Sequence, residues 1–127
     1  MAEDFSDFQL VNNNPDAVVL GDMGAGFTFN LLNNLFNHIL DGAELVAMHK
    51  NRFWISTDVC YLDVGAFVSA LEYASGKPAS VMGKPSSNLF ILASQEWNIP
   101  ADEILMIGDD IEADVGGALN VGMKSVL

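Results

Sequence analysis

Short apolar runs alternate with stretches of helical periodicity along almost the whole chain, and that alternation narrows the possible folds more than any other feature. Ala17–Leu20, Leu45–Met48, Ala79–Met82, Ile104–Ile107 and Ser125–Leu127 are short and apolar, as buried strands are. Between them, Thr28 can cap a helix in which Leu31, Leu32, Leu35, Phe36, Ile39 and Leu40 form one stripe, ended by Gly42. Phe67, Val68, Leu71 and Ala74 form a second stripe, closed by Gly76. Ser86 or Ser87 starts a third helix carrying Leu89, Phe90, Leu92, Ala93 and Trp97, and a fourth is expected over about 112–121. Pro100 can open a short helical turn, and His49–Asp63 reads as a long polar-aromatic connection. The predicted order is β-α-β-α-β-α-β-α-β. Parallel strands need long connections and helices supply them, so the fold class is α/β with a parallel sheet. Functional groups in such sheets gather beyond the carboxyl ends of the strands.

With 127 residues the chain fits one domain or pieces of two. Half the residues are hydrophobic and the mean hydropathy is +0.28, which argues against disorder and suggests a sheet covered on both faces. Seventeen acidic residues against 5 basic ones give a charge of −12, which nucleic-acid phosphates and anionic membranes repel; neither is an expected partner. The same excess suits a site that concentrates divalent cations, or simply a soluble surface. Cys60 is the single cysteine, so no intrachain disulfide forms, and it is expected to be a small buried hydrophobe. Met1–Asn14 has no basic, apolar leader pattern and no window reaches the length of a membrane span, so a cytoplasmic setting is expected.

Immediately after Ile104–Ile107 stands Gly108-Asp109-Asp110-Ile111-Glu112-Ala113-Asp114, with two carboxylates at a strand's end and a third one helical turn on. Magnesium favours oxygen ligands and commonly takes one or two carboxylates, leaving room for water and phosphate. The alternative is that Asp109 or Asp110 caps the following helix while the others complement its dipole. Gly108 is expected to let the backbone turn sharply. Gly83-Lys84-Pro85 follows the preceding strand and is expected to bring Lys84 to the same sheet edge as Asp109. A lysine there can hold phosphate oxygens as a point charge, though an ordinary surface lysine has the same sequence appearance. Gly21–Gly26 follows a strand but lacks both G-x-G-x-x-G spacing and a following lysine, and His38 and His49 lack partners at ligand spacing.

Ile104–Asp110 through Asp114 resembles motif IV of the haloacid dehalogenase-type phosphatases, and Gly83-Lys84-Pro85 resembles their motif III. Asn14–Val19, Ile39–Ala43, Met48–Arg52 and Phe67–Gly76 are similar to the α/β cap and return helix of the NagD-like subgroup. Within it, His49-Lys50-Asn51-Arg52 resembles the branch of the phospholysine phosphohistidine inorganic pyrophosphate phosphatase and haloacid dehalogenase-like hydrolase domain-containing protein 2. The resemblance implies that Asp109 ligates Mg2+ with Asp110 and Asp114 in support. It further implies that Lys84 binds the phosphoryl group and the nucleophile, with His49 and Asn51 as further substrate-binding candidates. No Asp-x-Asp followed by Gly-Thr occurs in these residues, nor does the motif II Ser/Thr strand, and Asp63-Val64-Gly65 stands where relatives show Gly-Pro-Gly.

The expected organisation is therefore a partial α/β cap over residues 1–77 and a partial HAD-like core over 78–127. The expected function is a portion of a Mg-dependent phosphatase hydrolysing small phosphorylated substrates through an aspartyl-phosphate, its nucleophile absent from this chain. The alternative is a non-catalytic module that dimerises through the cap or binds a ligand.

Overall fold

The computed structural model describes residues 5–127. Strands β1 (Ala17–Leu20), β2 (Glu44–Ala47) and β5 (Ser80–Val81) form a parallel sheet in the order β1-β2-β5. Helix α1 (Phe29–Leu40) connects β1 to β2, and α2 (Val64–Ser75) precedes β5. Right-handed crossovers onto neighbouring strands put both helices on one face of the sheet. The strand residues show which face that is: Val18 and Leu20, with Leu45 and Ala47, are buried, while Ala17, Val19 and Glu44 are exposed. The buried set meets Ile39 from α1 and Val64, Val68 and Leu71 from α2 in one core. Phe27 stacks on Phe67 at 3.9 Å at the edge of that core.

The helix ends follow from their capping chemistry. Thr28 accepts the Leu31 N–H, Asp63 accepts the Val64 N–H, and Ser86 accepts the Asn88 N–H at the start of α3 (Ser87–Ser94). Gly76 closes α2 at φ 69°, a left-handed conformation open to glycine without strain.

A second, separate sheet pairs β6 (Leu105–Ile107) with β7 (Lys124–Val126) in parallel. Around it, Phe90 of α3 packs with Ala118 of α4 (Gly117–Asn120) and with Met123. This core is small, and Leu105, Ile107 and Val126 remain exposed. The sheet covered on both faces that composition suggested is therefore corrected twice. The first sheet is covered on one face, and the second has only two strands among the described residues.

Three further expectations change. Residues 49–63 are more than a connection: β3 (Phe53–Ser56) and β4 (Val59–Leu62) form an antiparallel hairpin. Thr57 and Asp58, at φ 47° and 66°, make its two-residue turn, the positive-φ geometry that matches strand twist. Cys60, on β4, is exposed instead of buried, as every residue of that strand is. The fourth helix begins as a π-helical turn, Ile111–Gly116, before α4. Among the described residues no helix is long and apolar enough to cross a membrane.

Candidate active site

The acidic loop leaves β6 and enters the π-helical turn, and its three aspartates part company there. Asp110 accepts the N–H groups of Glu112 and Ala113, both at 2.8 Å, so it is the N-cap that the alternative reading of the sequence described. Asp114 folds back beneath the loop, where one carboxylate oxygen accepts the N–H groups of Asp109 and Asp110 at 3.2 and 3.3 Å. Its other oxygen accepts Lys84 Nζ at 2.8 Å. Asp109 is exposed, and its carboxylate has no hydrogen-bond or ion-pair partner among the described residues.

Asp114 is buried, 2% exposed. Burial pushes its carboxyl up, but the Lys84 hydrogen bond, the loop N–H groups and the Lys84 charge outweigh that and hold it below the usual aspartate value. Its side chain also explains Gly108. A Cβ at that position would lie 2.4 Å from the Asp114 carboxylate, and Gly108 does not adopt positive φ. Glycine is required there by the close approach of Asp114, not by a sharp backbone turn.

Lys84 does not arrive on a neighbouring strand of the same sheet, because β5 belongs to the first sheet and β6 to the second. It still reaches the acidic loop, since its long side chain spans the gap to Asp114. The backbone holds this junction: Lys50 N–H donates to the Lys84 carbonyl at 2.9 Å, tying the segment after β2 to the Gly83-Lys84-Pro85 turn.

Lys84, Asp109 and Asp110 line one cavity of about 520 Å³ together with Lys50, Asn51 and Arg52. Pockets of roughly 300–1,000 Å³ accommodate small ligands. Asn51 lines it and carries a buried side-chain oxygen, Oδ1, without a hydrogen-bond partner among the described residues. His49 points away from this chemistry. Its Nε2 lies 3.0 Å from Asp63 Oδ1, the cap of α2, and it is not among the cavity's lining residues. Sequence reasoning missed Arg52 and Lys50 as site residues. The signal was present in the scarcity of basic residues, since 3 of the chain's 5 line this cavity.

Among the described residues no group of three His, Cys, Asp or Glu side chains converges as a complete metal cage. The donor set still suits a hard cation in part. Asp109 offers at the cavity a carboxylate unpaired among the described residues, and magnesium is commonly held by only one or two carboxylates with water and phosphate completing its shell.

Residues 81–127 match the family model described as HAD-hydrolase-like. Over 124 residues the chain is 43% identical to haloacid dehalogenase-like hydrolase domain-containing protein 2 from Bos taurus, covering 98% of this chain and 47% of that protein. It is 42% identical to phospholysine phosphohistidine inorganic pyrophosphate phosphatase from Bos taurus, covering 93% and 44%. The chain thus spans about half the length of the curated relatives it matches. Its fold superimposes on 4-nitrophenylphosphatase from Thermotoga maritima with a TM-score of 0.81 at 28% identity, over 94% of this chain and 46% of that one. Glycerol phosphate phosphatase from Mycobacterium tuberculosis in complex with magnesium gives a TM-score of 0.73 at 29% identity, over 89% and 33%.

Proposed function

We infer, from a chain whose residues 81–127 match the HAD-hydrolase-like family model and whose fold is that of NagD-like phosphatases, that it forms part of a magnesium-dependent phosphatase for small phosphorylated compounds. One observation carries the reading: the Lys84 ammonium, bonded to buried Asp114, shares a cavity with the unpaired carboxylate of Asp109.

In this reading Lys84 binds phosphoryl oxygens as a point charge and offsets the negative charge that develops during transfer. Asp114 fixes Lys84 and, through two backbone N–H groups, the loop that carries Asp109. Asp110 serves the loop as a helix cap, and Asp109 is the ligand for magnesium. Magnesium held there would supply positive charge against the phosphoryl oxygens. The family's nucleophile, the first aspartate of an Asp-x-Asp-Gly-Thr segment, has no counterpart in these 127 residues. Formation of the aspartyl-phosphate then needs an aspartate from outside them.

The same proposal assigns 1–77 to a cap and 78–127 to a core, with β5 tying the core segment to the cap's sheet through β2. A cytoplasmic setting belongs to it as well. The test is turnover of p-nitrophenyl phosphate with magnesium by the 127-residue chain, where none is expected. Turnover abolished by Asp109→Ala would locate a nucleophile within the chain and overturn this division of labour.

A second reading, a cap module that dimerises without catalysis, is favoured by the hairpin, on which Phe53, Trp54, Ile55, Tyr61 and Leu62 are all exposed. Uncovered apolar surface of this kind marks association sites.

A further inference from the structure

Three cations line the cavity in a chain of net charge −12, yet their commitments differ. Lys84 is held by buried Asp114 at 2.8 Å, and Lys50 by Glu72 at 2.6 Å, with both Lys50 and Glu72 partly buried. Among the described residues Arg52 pairs with Glu112 alone, at 3.2 Å, and the two side chains are 69% and 63% exposed. An ion pair this exposed is worth little net and is screened by salt, so an incoming anion can replace Glu112 at small cost. The guanidinium offers a planar fork that suits a carboxylate or phosphate in two parallel hydrogen bonds. Beside it the cavity wall becomes aromatic, with Phe53 5.7 Å from the guanidinium and Trp54 next along the strand.

We propose that Arg52 is a specificity-determining residue that selects phosphate esters whose leaving group carries a second negative charge, with Glu112 as the counter-ion the substrate displaces. The proposal rests on the reading of Lys84 as the phosphoryl-binding lysine. A cavity of about 520 Å³ exceeds what a phosphate group fills, which leaves room for such a leaving group on the Arg52 side.

The test uses the full chain with magnesium chloride and two probes, phenyl phosphate and 4-carboxyphenyl phosphate, with affinities measured by isothermal titration calorimetry. The carboxylated ester is expected to bind about tenfold more tightly, the value of one charge-assisted interaction. Arg52→Gln brings that ratio to about one, whereas Glu112→Gln frees Arg52 and raises it. Lys84→Gln weakens both esters and preserves the ratio. Equal binding of the two esters by the unmodified chain, or a preference that survives Arg52→Gln, overturns the proposal. The phosphoryl-site reading survives either outcome so long as Lys84→Gln weakens both. Binding of neither ester overturns the two together.

Discussion

Asp110 accepts two N–H groups at the start of the π-helical turn, so Asp110→Ala removes a cap and should cost about 1 kcal/mol in urea unfolding. Asp109→Asn breaks no hydrogen bond or ion pair among the described residues and should leave stability within about 0.5 kcal/mol while weakening magnesium binding in a calorimetric titration. Asp114 is different again, because its folded pKa is depressed. A carboxyl held low in the folded state adds stability that is complete above its unfolded value, about 3.9, and is lost as pH falls through the folded value. Asp114→Asn should therefore cost about 1–2 kcal/mol near pH 7, less than breaking a fully buried pair because Lys84 keeps some water. That deficit should shrink steadily in unfolding curves taken below about pH 4. Glu72 is also held low: its burial opposes ionisation, and Lys50 with the Ala79 N–H outweighs it. Its contribution is common to both proteins and cancels from the difference. The sequence could show three acids near a strand end, but not how they divide the work. Capping depends on backbone direction, and the burial of Asp114 on Lys84 and the loop folding over it, and neither is a local property of the motif.

At the scale of elements, what the sequence made legible was periodic. The stripes of α1 and α2, their caps at Thr28 and Gly76, and the strand at 104–107 all rest on patterns longer than one turn. The hairpin β3-β4 is not legible in the sequence because its turn is Thr57-Asp58, not Asn-Gly, and its exposed strands lack alternation. The assignment of β5 to the first sheet was equally hidden, since a two-residue strand carries no sign of its partner. One contact fixes how these elements approach the cavity. A Cβ on Gly65, in the first turn of α2, would lie 2.3 Å from the Asn51 carbonyl oxygen, which already accepts the Gly65 N–H. Neither partner can yield, because the clash is with backbone. Gly65→Ala should destabilise the chain by about 1–3 kcal/mol through overpacking, seen as a lower urea midpoint, and should disturb the Lys50–Arg52 wall of the cavity.

At the scale of the molecule, two of the apolar surfaces left open among the described residues support different accounts of what this chain is for. One is the second sheet, with Leu105 55% and Ile107 72% exposed on β6. The other is the hairpin, with Ile55 64% and Leu62 65% exposed. Parallel two-stranded sheets depend on cover for their faces, because strands of this kind are apolar on both sides. A hairpin tolerates water better, and the Trp54–Tyr61 stack at 4.7 Å gives it support of its own. The chain spans about half the length of its matched relatives, and among the described residues β6 pairs with β7 alone, which leaves Ile107 exposed. On that reasoning the 127-residue chain should self-associate in sedimentation velocity, and Ile107→Lys should reduce association more than Ile55→Lys does. The reverse ranking, with Ile55→Lys yielding monomer and Ile107→Lys leaving a discrete dimer, would transfer support to the cap-dimerisation module. The ranking of the two variants decides the matter because each lysine charges one surface and leaves the other as it was.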